Sequence, residues 1–272
     1  MDADPADVLG ASRPVLGMVH LPALPGAPRY GGDRATIRRR ALADARALVE
    51  GGIDGIVVEN FGDAPFYPDS VPPHVVAELT AVTTALTDAV EVPVGVNVLR
   101  NDAASALSVA AASGARFVRV NVHVGVAATD QGLLEGRAHD TLRLRERIDA
   151  DVAILADVDV KHARGLGERA IERTAREAVE RGLADGLIVS GPATGEATST
   201  DAVTRVSTAV ADLDRTVPVL AGSGVTADTV ADVLAAGADG AIVGTALKEG
   251  AETANPVDPE RVRAVVEASR QG

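Results

Sequence analysis

Eight short apolar runs recur along the chain at intervals of roughly 30 residues, and a helix-like segment follows each of them. The runs span residues 15–21, 55–60, 92–99, 117–125, 152–160, 186–191, 218–225 and 238–245. Strands that alternate with helices form parallel βαβ units. Eight such units in about 250 residues predict the α/β class and a single (β/α)₈ TIM barrel.

The alternative architecture is an open, doubly wound sheet. Such a sheet carries its glycine fingerprint at the first βα turn, whereas that turn here, residues 22–32, is rich in proline. No linker or change of composition indicates a second domain. We therefore expect one TIM-barrel domain over residues 1–272, with residues 1–13 as an N-terminal tail.

Glycines end the seventh and eighth runs, in Gly222-Ser223-Gly224 and in Gly244-Thr245. Glycine lets backbone N–H groups approach a ligand closely. The loops after strands 7 and 8 of a TIM barrel often hold phosphate. The alternative is that these glycines only form tight turns. The pairing of two glycine-ended strands favours a phosphate site.

Polar residues cluster at the carboxyl ends of the predicted strands, where TIM-barrel active sites lie. The candidate catalytic residues are His20, Glu59, His123, Asp157, Asp159 and Lys161. The candidate substrate-binding residues are Asn97, Asn121, Ser190, Gly222, Ser223, Gly224, Gly244 and Thr245. For any one of them the alternative is a structural hydrogen bond, but together they predict a polar pocket at the barrel mouth.

Lys161 is one of only two lysines, and it follows two aspartates predicted to point inward. A buried lysine can act as a base or a Schiff-base nucleophile. It could equally be the counter-ion of Asp157 or Asp159, or bind a phosphate. Alternation along the fourth run places Arg119, Asn121 and His123 on one face. His20, His123 and Lys161 are therefore expected to face one pocket, with Glu59 as a carboxylate base.

Several classes of function are excluded by composition. The chain has no cysteine, so a disulfide, a zinc–thiolate site and a cysteine nucleophile are impossible. Its net charge of −13 disfavours binding to nucleic acid or to an anionic membrane. No apolar run is long enough to span a membrane, and the acidic N-terminus does not resemble a signal peptide. We expect a cytoplasmic protein; a homo-oligomer is left open.

No nucleotide or cofactor fingerprint is present, so no cofactor is expected. A divalent metal at His20 and His123 with a carboxylate is the weaker alternative, because no HxH or HExxH spacing supports it. The loop of residues 61–73 gathers Phe61, Phe66 and Tyr67. These aromatic side chains predict a lid, an interface or ordinary packing against the barrel.

The chain resembles the BtpA/SgcQ family over residues 14–269. The matching stretches are residues 17–26, 58–60, 95–101, 117–122, 130–132, 156–162, 190–195, 222–225, 243–245 and 255–258. The resemblance implies a TIM barrel. The family is named for a cyanobacterial factor required for photosystem I accumulation, while other members accompany sugar-utilisation genes and are treated as sugar- or nucleoside-processing enzymes.

Two functions follow as hypotheses. The first is an enzyme acting on a small phosphorylated sugar or nucleoside-derived phosphate by acid–base chemistry, such as isomerisation, aldol cleavage or glycosidic cleavage. The second is a non-catalytic biogenesis factor, which would present an exposed apolar patch around Phe61, Phe66 and Tyr67. A phosphate-ligand sensor is a weaker third.

Overall fold

The computed structural model describes residues 8–159, 164–165, 169–191 and 197–271, with Asp159, Arg164 and Gly165 described by their backbone alone. The strands are β1 Val15–His20, β2 Gly55–Glu59, β3 Val94–Asn97, β4 Phe117–Val120, β5 Val126–Thr129, β6 Gly132–Glu135, β7 Ala153–Asp159, β8 Arg164–Gly165, β9 Gly186–Val189, β10 Val219–Ala221 and β11 Gly240–Val243.

Eight of these strands form a closed parallel barrel in the order β1-β11-β10-β9-β7-β4-β3-β2. The barrel closes between β1 and β11, where Leu16 pairs with Ile242 and Gly17 with Val243. The predicted TIM barrel is therefore confirmed.

The helices are α1 Arg34–Glu50, α2 Pro73–Thr87, α3 Ala103–Ser113, α4 Ala138–Arg147, α5 Ile171–Glu180, α6 Thr200–Ala211, α7 Val230–Ala235 and α8 Pro259–Gln271. Three of their starts follow from polar N-caps: Asp33 accepts the Thr36 N–H, Asp102 accepts the Ser105 N–H and Ser199 accepts the Ala202 N–H. None of the helices in these described segments is long and apolar enough to cross a membrane.

Alternate strand residues point into the barrel, and an apolar layer fills its interior. The layer consists of Leu16, Met18, Val57, Phe117, Ala153, Leu155, Ile188, Leu220 and Ile242. The Phe117 ring lies against Gly95, where an added Cβ would be 2.1 Å from the ring. Although the sequence predicts a tail over residues 1–13, Val8 and Leu9 are buried in this same cluster.

One element was not predicted. The segment between β4 and α4 contains an antiparallel hairpin of β5 and β6, and β8 pairs with the other edge of β5. Its turn brings Asp130 to the wall of a cavity at the barrel mouth. The sequence signal was weak because the two strands have four residues each and include few β-branched residues.

Candidate active site

A cavity of about 900 Å³ opens at the carboxyl end of the barrel strands. Eight of the predicted site residues line it: His20, Glu59, Asn121, Gly222, Ser223, Gly224, Gly244 and Thr245. They come from both halves of the barrel, so the strand ends converge as the fold requires.

On each barrel strand, the next inward-pointing position, two residues towards the carboxyl end, lies directly above the apolar layer. These residues are His20, Glu59, Asn97, Arg119, Asp157, Ser190, Gly222 and Gly244. Polar side chains occupy six of the eight positions and glycine the other two. The sequence predicted all of them except Arg119.

His20 and Glu59 form the most direct acid–base pair. His20 Nε2 lies 3.8 Å from Glu59 Oε1, and only 8% and 9% of the two side chains are exposed. The Phe61 ring lies 5.0 Å from the His20 ring, between centroids. Because the two groups share an edge of the cavity, a proton can pass between them and a bound substrate with little movement.

Arg119 and Asp157 form a buried ion pair below the cavity mouth. Arg119 Nε and Nη2 donate to the two Asp157 carboxylate oxygens at 3.0 and 2.9 Å. Burial acts to lower the pKa of Arg119, but the Asp157 charge and hydrogen bonds outweigh it and the pKa is raised. Asn121 Nδ2 also donates to Asp157, at 3.0 Å. With these hydrogen bonds, Asp157 is better suited to be the counter-ion of Arg119 than to accept a proton during catalysis.

Asn97 and Ser190 support this ion pair. Asn97 Nδ2 donates to the Arg119 carbonyl oxygen at 3.0 Å and to Asn121 Oδ1 at 3.1 Å. Ser190 Oγ accepts from Arg119 Nη2 at 3.4 Å. Neither Asn97 nor Ser190 is among the residues that line the described part of the cavity. Their hydrogen bonds go to Arg119 and Asn121, and their predicted contact with substrate stays a prediction.

Arg100 contributes a second guanidinium close to Arg119. Burial lowers the pKa of Arg100, although the charges of Asp157, Glu59 and Asp130 oppose that shift. The cavity wall thus combines desolvated positive and negative groups, and their electrostatic interactions are stronger than at an open surface.

Gly222 and Gly244 leave the opposite side of the barrel mouth without side chains. A Cβ on Gly222 would lie 2.4 Å from Ile188 Cγ2, and one on Gly244 would lie 2.9 Å from His20 Cε1. Only some of the backbone N–H groups of the predicted phosphate site are available to a ligand. The Gly222 N–H donates to the Val189 carbonyl oxygen, and the Ser223 N–H donates to Thr198 Oγ1 at 3.2 Å. Both amides are therefore used within the protein.

Three more arginines, Arg29, Arg40 and Arg261, also line the cavity. Arg40 donates to the Ala254 carbonyl oxygen, and Arg261 Nε donates to the Ala246 carbonyl oxygen at 2.7 Å. With Arg100 and Arg119, five arginines and two carboxylates line the described part of the cavity. The sequence gives no signal for Arg29, Arg40 and Arg261, because they lie outside the strands.

The predicted position of His123 is wrong. Strand β4 ends at Val120, so the alternation that correctly turns Arg119 inward does not extend to residue 123. His123 Nε2 instead lies 2.7 Å from the Gly182 carbonyl oxygen, and the histidine does not share the cavity with His20. Burial lowers the pKa of His123, while the Gly182 hydrogen bond opposes the shift.

Lys161 and its neighbour His162 lie outside the described residues, as does the Asp159 side chain, so their predicted roles stay predictions. Within the segments that the structure describes, no group of three or more His, Asp or Glu residues is arranged to hold a metal ion.

The aromatic loop, residues 61–73, does not place its three aromatic side chains in one environment. Phe61 and Phe66 line the cavity, whereas Tyr67 is not among its lining residues and is 45% exposed. The continuous exposed patch that a biogenesis factor would need is therefore not formed by these three residues.

A family profile described as "BtpA family" matches residues 11–271. The chain is 47% identical over 259 residues to the photosystem I biogenesis protein BtpA of Synechocystis sp., covering 95% of this chain and 88% of that protein. It is 45% identical over 259 residues to an uncharacterized protein of Thermococcus kodakarensis, covering 95% of this chain and 96% of that one.

Solved structures share the fold at low sequence identity. A thiamine phosphate pyrophosphorylase from Pyrococcus furiosus is 17% identical with a TM-score of 0.59, and the match covers 96% of this chain and 97% of that chain. The N-(5′-phosphoribosyl)anthranilate isomerase of the same organism is 12% identical with a TM-score of 0.58, covering 96% and 100%. These likenesses show the TIM-barrel fold.

Proposed function

The chain belongs to the BtpA family, and we propose that it is an enzyme that acts on a small phosphorylated sugar or nucleoside-derived phosphate. The observation that carries the proposal is the charge of the cavity. Five arginines line it in a protein whose net charge is −13. A positive cleft on an acidic protein attracts anionic ligands selectively, because the cleft focuses the local field.

The phosphate would bind at the rim formed by Gly244 and Thr245, beside Arg40 and Arg261. Thr245 supplies a hydroxyl, which lies 2.8 Å from the Thr253 hydroxyl. Arginine suits a phosphate because its planar N–H groups match the phosphate oxygens. Loops after the last two barrel strands bind phosphate in many TIM barrels, and the names of both solved structures contain a phosphate ester.

His20 and Glu59 would perform the proton transfers. They lie beside the proposed phosphate rim, since Gly244 is in close contact with His20. A substrate anchored at Thr245 would therefore place its next few atoms against this pair. Arg100 would stabilise negative charge that develops on an oxygen during the reaction. Acid–base isomerisation, aldol cleavage and glycosidic cleavage can each use such groups.

The biogenesis-factor hypothesis is less well supported. It draws on the name of the Synechocystis relative, but it offers no role for a buried ion pair and an acid–base pair around a 900 Å³ cavity. An assembly surface would need exposed apolar side chains, and two of the three aromatic residues in question line the cavity.

Thermal unfolding with phosphate esters tests the proposed function. We expect inorganic phosphate and at least one phosphosugar or nucleotide to raise the Tm. A ligand present at 100 times its Kd stabilises the folded state by about 2.7 kcal/mol. Arg40→Gln should weaken this effect. Arg39→Gln is the matched control, because Arg39 lies on the same helix with 69% of its side chain exposed.

The proposal fails if no phosphorylated compound raises the Tm of the wild-type chain. It also fails if Arg39→Gln and Arg40→Gln weaken phosphate binding equally. In that case the effect would come from overall charge and not from a site at Thr245.

A further inference from the structure

Aromatic residues are scarce in this chain, and they are not placed at random. There are three phenylalanines among 272 residues. Phe117 fills the barrel interior, while Phe61 and Phe66 both line the cavity and stay partly exposed. A partly exposed phenylalanine gains free energy when an aromatic group covers it.

The turn that carries Phe61 is fixed before any ligand binds. The Gly62 N–H donates to the Leu21 carbonyl oxygen at 2.9 Å. The Asp63 carboxylate accepts the Leu24 N–H at 2.7 Å and Asn60 Nδ2 at 3.0 Å. These bonds join the turn to the loop after β1. Phe61 is therefore a preformed wall and needs no closing movement.

Phe66 is also held in place, through its neighbours. The Arg100 N–H donates to the Tyr67 carbonyl oxygen at 3.3 Å, and the Val71 N–H donates to Asp102 at 2.8 Å. The aromatic loop is thus attached to the loop after β3. A rigid wall costs little conformational entropy on binding.

The position of the wall relates it to the rest of the site. His20 lies close to both regions: its ring centroid is 5.0 Å from that of Phe61, and a Cβ added to Gly244 would lie 2.9 Å from His20 Cε1. A ligand anchored at Thr245 would pass His20 and Glu59 before reaching Phe61 and Phe66. Its middle portion would then lie at the acid–base pair.

The size of the cavity favours a ligand with two parts. Its volume of about 900 Å³ is near the upper end of the roughly 300–1,000 Å³ typical of ligand pockets. A sugar phosphate alone would leave the two phenylalanine rings in water. Glu59, Asp130 and Arg100 line the same cavity as the two rings and offer hydrogen-bonding groups to a polar ring.

We infer that the cavity takes a phosphorylated compound that carries a nitrogen heterocycle, of the nucleoside monophosphate type, with the heterocycle against Phe61 and Phe66. This inference rests on the proposed function and narrows its substrate class. The phosphate lies at the Thr245 rim, the ring stacks on the aromatic wall, and the sugar spans His20 and Glu59.

Calorimetric titration of the full chain tests the inference. The ligands are ribose 5-phosphate, adenosine, nicotinamide mononucleotide, and the 5′-monophosphates of adenosine, guanosine, cytidine and uridine. At least one nucleotide should bind about tenfold more tightly than ribose 5-phosphate, as expected for one stacked base. Phe66→Leu should remove most of that advantage and change ribose 5-phosphate binding less than twofold. Tyr67→Leu is the control and should change neither.

Two results would overturn the aromatic wall: ribose 5-phosphate binding as tightly as every nucleotide, or Phe66→Leu weakening both ligand types equally. In either case the phosphate site of the proposed function survives. Adenosine binding as tightly as adenosine 5′-monophosphate would instead overturn the phosphate site and leave the aromatic wall standing. Failure of all seven ligands would overturn both.

Discussion

At the scale of single residues, Arg119 brings a buried charge to the barrel mouth. Its two hydrogen bonds to Asp157 hold both groups with less than 5% of either side chain exposed. Burying a charge is tolerable only when a partner offsets the loss of water. Arg119 was not predicted as a site residue, because the fourth strand was expected to extend to residue 125 and its functional end was placed too late.

Arg119→Leu should lower the free energy of unfolding by about 3–5 kcal/mol, because Asp157 loses its cation. A double variant that also carries Asp157→Leu should recover most of the loss. Arg116→Leu is the control, since 47% of the Arg116 side chain is exposed, and it should cost under about 1 kcal/mol. Urea unfolding measures all three. Equal losses for Arg116→Leu and Arg119→Leu would contradict the buried pair.

His123 makes stability depend on pH. Its pKa is lowered in the folded state by burial, so the unfolded chain binds a proton more readily. The stabilisation that neutral His123 gives the folded state is therefore complete above its pKa in the unfolded chain, near 6.5. This stabilisation is lost as the pH falls through the lower pKa of the folded state. The slope that His123 adds is at most about 1.4 kcal/mol per pH unit.

His123→Gln should flatten that slope below pH 6.5, because a glutamine amide can still donate to the Gly182 carbonyl oxygen without titrating. His139→Gln should leave the slope unchanged, since 67% of the His139 side chain is exposed. The measurement is urea unfolding at a series of pH values. An unchanged slope in His123→Gln would show that other groups cause the pH dependence.

At the scale of elements, the segment after β11 depends on a buried lysine. Lys248 Nζ donates to Asp44 Oδ2 at 3.0 Å, and the Val257 N–H donates to Asp44 Oδ1 at 2.9 Å. Both residues of the ion pair are almost completely buried. Burial lowers the pKa of Lys248 and the Asp44 charge opposes the shift. The pair joins α1 to the segment that carries Thr245, and so it sets the position of the proposed phosphate rim.

Lys248→Met should cost about 3–5 kcal/mol in the free energy of unfolding, because Asp44 is left buried without its cation. Phosphate should also bind more weakly, as the segment loses its attachment to α1. Denaturant unfolding and phosphate titration measure the two effects. The interpretation is wrong if stability falls while phosphate affinity stays the same.

The glycine that ends β10 is the second test at this scale. Gly222→Ala places a methyl group 2.4 Å from Ile188 Cγ2 and 3.0 Å from Ser190 Oγ. Overpacking of this kind costs about 1–3 kcal/mol and should also reduce ligand binding. Gly31→Ala is the control, because no atom lies within 4 Å of its added Cβ. Thermal unfolding that gives the same Tm for both variants would contradict a close-packed barrel mouth.

The elements were predictable where a strong local pattern exists. Each barrel strand is an apolar run that ends in a polar residue or is followed directly by a polar residue or glycine. Asp33 and Asp102 mark helix starts through local hydrogen bonds. The hairpin of β5 and β6 was missed because its two strands have four residues each and include few β-branched residues. The hydrogen bond from Arg40 to the Ala254 carbonyl oxygen joins residues that no local pattern connects.

At the scale of the whole molecule, charge is divided unevenly. The net charge is −13, yet most of the charged residues that line the described part of the cavity are arginines. Repulsion among surface carboxylates weakens the folded state, and salt screens this repulsion over about 10 Å at 0.1 M. The Tm should therefore rise as sodium chloride is increased from 0.05 to about 0.5 M. Scanning calorimetry measures it, and a Tm that falls with salt would show that attractive pairs dominate.

More of the fold than of the site could be predicted from the sequence. Eight repeated units require a barrel, and a barrel brings its strand ends together; on that basis His20, Glu59 and Gly244 were placed correctly. The charge of the cavity was not foreseen, because it depends on arginines from helices and loops that meet only in three dimensions.

The apolar layer beneath the cavity has a kinetic consequence. Phe117, Leu155 and Ile188 lie in the apolar layer below the ring of polar strand ends, so within the part of the chain that the structure describes the barrel axis gives no second exit. A substrate and its product would both pass through the carboxyl end of the barrel. A product that still carries its phosphate would stay bound at Thr245 and delay the binding of the next substrate. Such an enzyme would slow as its own product accumulates, and its throughput would depend on whatever removes that product.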